Sequence, residues 1–374
     1  MNWSRFLAIL IKEFRQIRRD RLTFAMMVAV PIIQLVLFGY AINTDPKGLP
    51  MAAVIADESS FSRTLVAGLE NSKYFRLTHR PRGEAEATRL LERGEVQFVL
   101  VVPPGFSRQL LRGERPALLV AADATDPSAS GNALAALNAI ARQALQREYA
   151  GATASLAPPE LSFDLRVQRR FNPEGLSRYN IVPGLIGVIQ TMTMIMMTAL
   201  AMTRERERGT MENLLATPAR PFEVMVGKIV PYILIGYIQA GVILAAAWLM
   251  FDLPLVGSLA LLAAALMLFM AANLAVGFTF STIARNQLQA MQLTFFFFLP
   301  SMLLSGFMFP FRGMPDWAQA LGEILPLTHF LRIVRGILLK GNGLAEVAPN
   351  LWPIALFMLA AGAIAMLRYR RTLD

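Results

Sequence analysis

The chain has 374 residues, 55% apolar and 17% charged, a balance that excludes an ordinary soluble domain and points to the membrane class. A net charge of +10 would suit nucleic acid in a soluble protein. Here the basic residues flank apolar segments, as Lys and Arg do beside membrane helices, and no aromatic stacking surface is interleaved with them. With no cysteine and only His79 and His329, disulfides, thiolate chemistry and His-rich metal sites are excluded.

Residues 1–21 alternate Phe6, Leu7, Ile9, Leu10, Ile11, Phe14 and Ile17 with Arg5, Lys12, Arg15, Arg18 and Arg19 at near-helical spacing. That pattern predicts an amphipathic helix in the interface, with Trp3 near headgroup level. The alternative is a solvated leader that only orients the next segment. A bilayer core of about 30 Å needs roughly 20 apolar residues in a helix. Leu22–Ile42 meets that length, and no A-x-A site follows its long basic n-region, so it reads as an uncleaved anchor.

Residues 43–177 are not membrane-like and have the length of one domain. Strand patterns at Met51–Ala56, Phe98–Val102, Ala117–Ala121 and Leu161–Gln168 alternate with helical patterns at Ser60–Glu70, Glu84–Arg93 and Asn132–Tyr149. This predicts an inserted α/β domain. Asp123, Asp126 and Asp164 read as turn and cap formers and Ser107 as a helix cap. Neither G-x-S-x-G nor H-E-x-x-H occurs, so no catalytic residue and no metal ligand is assigned.

Five further spans follow: residues 178–202 (apolar from Ile181 to Met202), Ile229–Phe251, Val256–Ile283, Leu288–Pro310 and Leu351–Leu367. The predicted fold is an α-helical polytopic membrane protein with six transmembrane helices and one inserted extracytoplasmic domain. Basic residues before the first span, between the second and third, at Arg285 and after the last all fall on one side, the cytoplasmic side by the positive-inside rule. Both termini are then cytoplasmic. The span centres lack ionisable residues, which argues against a proton relay or an ion-coupled site.

The polar segment 203–228 separates the second and third spans. Thr210 is a suitable N-cap and Glu212 suits the positive end of a helix dipole. Met211, Leu214 and Leu215 share one face, and Thr217-Pro218 ends the turn. A short stiff helix with an apolar face and a charged approach fits a docking knob. The bland alternative is a solvated hairpin. No G-x-x-x-x-G-K-[ST] occurs anywhere, so the chain carries no phosphate loop of its own.

Two motifs resemble a known family. Glu207-Arg208-Gly209-Thr210, Glu212, Leu214-Leu215, Thr217-Pro218, Glu223 and Gly227-Lys228 form the first. The second runs from Leu304 to Pro310, through Met314-Pro315 and Pro326-Leu327-Thr328-His329-Phe330, to Arg332, Arg335-Gly336 and Lys340-Gly341. Together they are similar to the signatures of type-2 ABC (ATP-binding cassette) exporter permeases of the multidrug-efflux kind with a large periplasmic domain. The resemblance covers essentially the whole chain.

It implies a permease subunit in the bacterial inner membrane, with ATP and Mg bound by a separate cytoplasmic ATPase. It also implies a second permease copy, identical or paralogous, and in Gram-negative relatives a periplasmic adaptor protein. The ATPase-coupling surface would be Arg204, Glu205, Glu207, Arg208, Gly209, Thr210, Met211, Glu212, Leu214, Leu215, Thr217 and Pro218. A re-entrant external segment would span about 306–335, with Gly306, Phe309, Pro310, Pro326 and His329. A lone His there is more often a hydrogen-bonded structural residue than a ligand.

Gln190, Gln292, Phe295, Phe298 and Met302 are candidates for a cargo path, since aromatic and Met side chains suit a pliable apolar surface. Packing against lipid or neighbouring helices explains them equally. The cargo class that follows is drugs or other amphipathic compounds. A lipid or glycan exporter is the alternative within transport, and a membrane-anchored sensor or scaffold is the alternative outside it.

Overall fold

The computed structural model describes residues 46–148, 163–207 and 221–368, with the backbone alone at 221–230. An α/β domain comes first: β1 (Leu49–Ile55), α1 (Ser60–Asn71), β2 (Phe75–His79), α2 (Glu84–Glu92), β3 (Phe98–Val102), α3 (Phe106–Leu111), β4 (Ala117–Asp123), α4 (Pro127–Glu148) and β5 (Asp164–Arg170). The sheet order is β2-β1-β3-β4-β5. All neighbours are parallel except β3 and β4.

The apolar runs of β1 and β3 follow from coverage on both faces, because successive side chains of a strand point to opposite sides. Met51, Ala53, Phe98 and Leu100 face Leu65 and Leu69 of α1, Phe106 of α3 and Leu137 and Leu145 of α4. Ala52, Val54 and Val99 face Ala87 and Leu91 of α2 in a smaller core.

Two readings of this domain need correction. Strand β2 was not expected, because Phe75-Arg-Leu-Thr-His79 holds only two strongly apolar residues. It is an edge strand, where one face meets water and an apolar run is not needed. Ser107 is not a cap. It lies inside α3, where its N–H (2.7 Å) and hydroxyl (2.8 Å) both donate to the Asp57 carboxylate, and the N-cap is Gly105 at φ 72°.

The second part is helical: α5 (Ser177–Glu207), α6 (Pro221–Phe251), α7 (Leu259–Ile283), α8 (Gln287–Leu304), α9 (Asp316–Ile324), α10 (Pro326–Arg335), a π turn at Gly336–Lys340, and α11 (Leu344–Arg368). Among the described residues, α5, α6, α7, α8 and α11 are long and apolar enough to cross a membrane. The expected helix at 1–21 and span at 22–42 lie outside the described residues. Helix α8 stops at Leu304 rather than Pro310, where Ser305 caps it and Gly306 turns the chain at φ +82°. Helix α11 begins seven residues earlier than its apolar run, because Leu344–Asn350 continue the helix beyond the membrane-like stretch.

Helix α7 is the centre of the bundle. A Cβ on Gly277 would meet the Ile195 carbonyl of α5 at 2.5 Å, so the two backbones touch. Small residues permit such approaches where lipid supplies no hydrophobic drive between helices. Phe269 of α7 stacks on Phe330 of α10 with centroids 4.2 Å apart. Helices α6 and α11 are only 17% buried over their most apolar windows, against 56% for α5 and α7. Their apolar side chains, such as Leu234, Val242, Leu356 and Leu359, therefore point outward.

Candidate functional site

The five spans give the bundle two ends. The start of α5 and the segment from Gly306 to Asn342 meet the α/β domain, while the end of α5 and the start of α8 lie at the far end. At that far end Glu207 accepts from the Gln287 backbone N–H at 2.7 Å and from its side-chain amide. Gln287 opens α8, and Asn286 before it caps the helix by accepting from Gln289 N–H at 2.8 Å. The Gln287 side chain, then its backbone N–H, with Arg204 nearby, hold the Glu207 carboxyl below the usual carboxylate range.

Arg204, Glu205 and Glu207 thus sit in the last turn of α5, and Glu207 ties it to α8. Arg208, Gly209, Thr210, Met211, Glu212, Leu214, Leu215, Thr217 and Pro218 lie outside the described residues.

Of the residues predicted for a path, Gln190 lies on α5, and Gln292, Phe295, Phe298 and Met302 lie on α8. Gln190 is fully buried between helices and donates to the Gly236 carbonyl of α6 at 2.6 Å. A Cβ on Gly236 would lie 2.2 Å from Met270 Sδ and 3.3 Å from Gln190 Oε1, so the bare backbone gives both side chains their room. Phe298 is buried in the same core and Met302 packs against it. Phe295 is 43% exposed on α8, and Gln292 is half-buried.

At the domain end, Pro326 starts α10, consistent with proline's fixed φ at a first helical turn. His329 is buried, with Nε2 2.8 Å from the Glu323 carbonyl and Nδ1 3.1 Å from Asn350 Oδ1. Pro310 precedes the 3-10 turn at Phe311–Gly313, and Phe309 packs with Leu303, Leu304 and Met314. Gly306, Phe309, Pro310, Pro326 and His329 therefore share one folded segment on the domain side of the bundle.

The three basic residues of the second motif each have a task that residue spacing did not disclose. Arg332 makes two bonds to the Glu323 carboxylate, at 3.0 and 2.6 Å, and lies 4.7 Å over the Phe311 ring. Arg335 donates to the carbonyls of Gly306 and Asn180, which ties α10 to the turn after α8 and to the start of α5. Lys340 crosses to the α/β domain and pairs with Asp123 at 2.5 Å, both side chains at most 10% exposed, while donating to the Leu91 carbonyl at 3.2 Å.

Asn342 donates to the Glu92 carbonyl and Arg312 to the Gly94 carbonyl. These contacts surround a cavity of about 540 Å³ between domain and bundle. Asp123 is thus a pairing residue as well as a turn former, since it also accepts from Thr125 N–H at 3.0 Å.

Five membrane-length helices, charge-free through the middle of the described spans, define a polytopic membrane protein. The chain belongs to the ABC-2 transporter family, whose model, described as "ABC-2 family transporter protein", matches residues 21–367. It is 29% identical over 380 residues to the probable multidrug ABC transporter permease YbhS of Escherichia coli K12, covering 100% of this chain and 99% of that one. It is 27% identical to the probable multidrug ABC transporter permease YbhR of the same organism, covering 99% of each chain. The inner membrane transport permease YhhJ, also from that organism, is 30% identical over 97% of this chain and 96% of its own. The chain is accordingly a permease, a membrane transport subunit of that family.

Proposed function

We propose that this permease exports drugs or other amphipathic and hydrophobic compounds across the bacterial inner membrane, driven by a separate cytoplasmic ATPase that binds ATP and Mg. The observation that carries the proposal is the end-to-end likeness to two relatives whose printed names specify multidrug transport. The absence of ionisable side chains from the centres of the described spans supports an external energy source over ion coupling.

In this reading residues 203–228 receive the ATPase at the cytoplasmic face, and Glu207 and Gln287 brace α5 against α8 as the load arrives. Two permease copies, identical or paralogous, enclose the path, the α/β domain lies in the periplasm, and an adaptor protein joins it there. ATP binding draws the two coupling segments together and switches the cavity from inner to outer access.

The test is reconstitution with the cognate ATPase in proteoliposomes. Export of fluorescent amphipathic cargo and cargo-stimulated ATP hydrolysis are expected. Both should fall at least about tenfold in Glu207→Ala with Glu212→Ala. Unchanged complex formation and stimulation in that variant would refute the docking role. Stimulation by lipid or glycan substrates alone would replace the drug assignment.

A further inference from the structure

A second cavity, of about 590 Å³, opens beside the junction between domain and bundle. Lys47, Arg76 of β2 and Arg312 of the 3-10 turn line it, and Asp316 is its one carboxylate among the described residues. The Arg76 side chain has no hydrogen bond or ion pair among the described residues. Arg312 spends one N–H on the Gly94 carbonyl, and no carboxylate there lies within ion-pair distance of it. Burial, and then the neighbouring charges of Arg332 and Arg76, push the Arg312 guanidinium's proton affinity down, while the carboxylates of Asp123 and Glu323 oppose that shift.

The first turn of α9 faces the same space through Asp316 and Gln319, and no side chain caps that helix, so its positive end adds to the field.

The depth of this cavity follows from α9. Gly322 packs on the last turn of α8, where a Cβ would meet the Leu304 carbonyl at 2.6 Å, so α9 lies at the edge of the hydrocarbon. Its adjacent face carries Trp317, Leu321 and Ile324, which are 42%, 49% and 62% exposed. An apolar face with a Trp belongs at the headgroup boundary, where the ring's apolar body and polar N–H are both accommodated.

We propose that this cavity holds the phosphate headgroup of an anionic lipid from the leaflet on the domain side. Lys47, Arg76 and Arg312 supply the countercharge, and the acyl chains run along Trp317, Leu321 and Ile324. A bidentate guanidinium suits phosphate oxygens, and Arg76 has its donors available.

Native mass spectrometry of the full-length protein in detergent, titrated with phosphatidylglycerol or phosphatidylcholine of equal chain length, tests this. The wild type should retain phosphatidylglycerol preferentially, and the preference should weaken with salt. Arg76→Gln should lower retention about fivefold, and Lys47→Gln with Arg76→Gln about twentyfold or more, following the attraction of each surface cation to an anionic headgroup. Asp316→Asn should raise it, so a general loss of folding cannot imitate the pattern. Equal retention of both lipids in the wild type would overturn the proposal. So would saturable binding of inorganic phosphate that displaces no lipid, or an Asp316→Asn variant that binds less.

Discussion

Replacing Lys340 by Met isolates the contact that joins domain and bundle. The ammonium pairs with Asp123 at 2.5 Å, the two side chains are 8% and 10% exposed, and it also donates to the Leu91 carbonyl. Met keeps the apolar stem beside Phe171 but leaves a buried carboxylate and a carbonyl without that donor. Removing one partner of a buried pair costs roughly 3–5 kcal/mol, because the remaining charge stays desolvated.

Asp123→Asn should cost a similar amount, roughly 3–5 kcal/mol, because Thr125 binds Oδ1 and Lys340 binds Oδ2, so one amide oxygen keeps only one of these bonds and the buried ammonium loses its counter-charge. In the double variant no charge is stranded, so its cost should fall below the sum of the two by at least about 1 kcal/mol. A chain of several parts has no single unfolding free energy, so the readout must be local. Hydrogen–deuterium exchange over residues 91–95 and 340–343 reports the opening of this junction. Lys340→Met should speed exchange there by roughly a hundredfold or more, each tenfold being about 1.4 kcal/mol. Strictly additive effects, or exchange unchanged at the junction, would refute the view that this pair locks the domain to the bundle.

Gly277→Ala should lower the thermal midpoint of the solubilised protein, since its Cβ meets backbone rather than a movable side chain, at a cost of about 1–3 kcal/mol. Gly241→Ala in α6 meets nothing within 4 Å and should be neutral or stabilising by up to about 1 kcal/mol. For Asp57, burial alone would raise the pKa, but the N–H and hydroxyl of Ser107 outweigh it and hold the carboxyl low. A depressed folded value means that the stabilisation is present above the unfolded carboxylate value near 3.9 and is lost as pH falls through the folded value. Asp57→Asn should flatten that acid limb in a thermal-shift series run from neutral pH downward. Arg332→Lys should loosen the segment around Glu323 and Phe311 by about 0.5–1 kcal/mol, because an ammonium cannot reproduce the two-pronged bond or the stacking at this half-exposed site. Faster exchange over residues 316–324 is the check.

The periodic parts of the fold were legible because their patterns are set locally. β3 matches its apolar run end to end, and each of the five described membrane helices begins or ends within a residue of a change in composition. The errors occur where tertiary context overrides pattern. β2 is half solvated, and α8 ends at Leu304 although the sequence remains apolar through Pro310. A left-handed Gly306 and the packing of α9 against Leu304 stop that helix, and hydropathy is blind to both.

The site divides along the same line. The second motif drew attention to Arg332, Arg335 and Lys340 without suggesting what they do, because two of the three act across long separations. Lys340 meets Asp123 across 217 residues, and Arg335 meets Asn180 across 155. Only Arg332, with Glu323 nine positions earlier in the adjoining helix, lies within reach of a local pattern. Gln190 shows the converse. A neutral polar residue in a span invites a role in transport, and its amide N–H donates to the Gly236 carbonyl of a neighbouring helix, a partner that residue spacing does not disclose. Where the centres of the described spans carry no charge, such amide-to-backbone bonds and glycine contacts fix helix register, each worth roughly 1 kcal/mol or less. Register of that strength can be exchanged for an alternative packing without stranding an ion in lipid. That suits a bundle that repacks, and it fits the position of the buried Lys340–Asp123 pair, which lies outside the described spans at the junction with the domain.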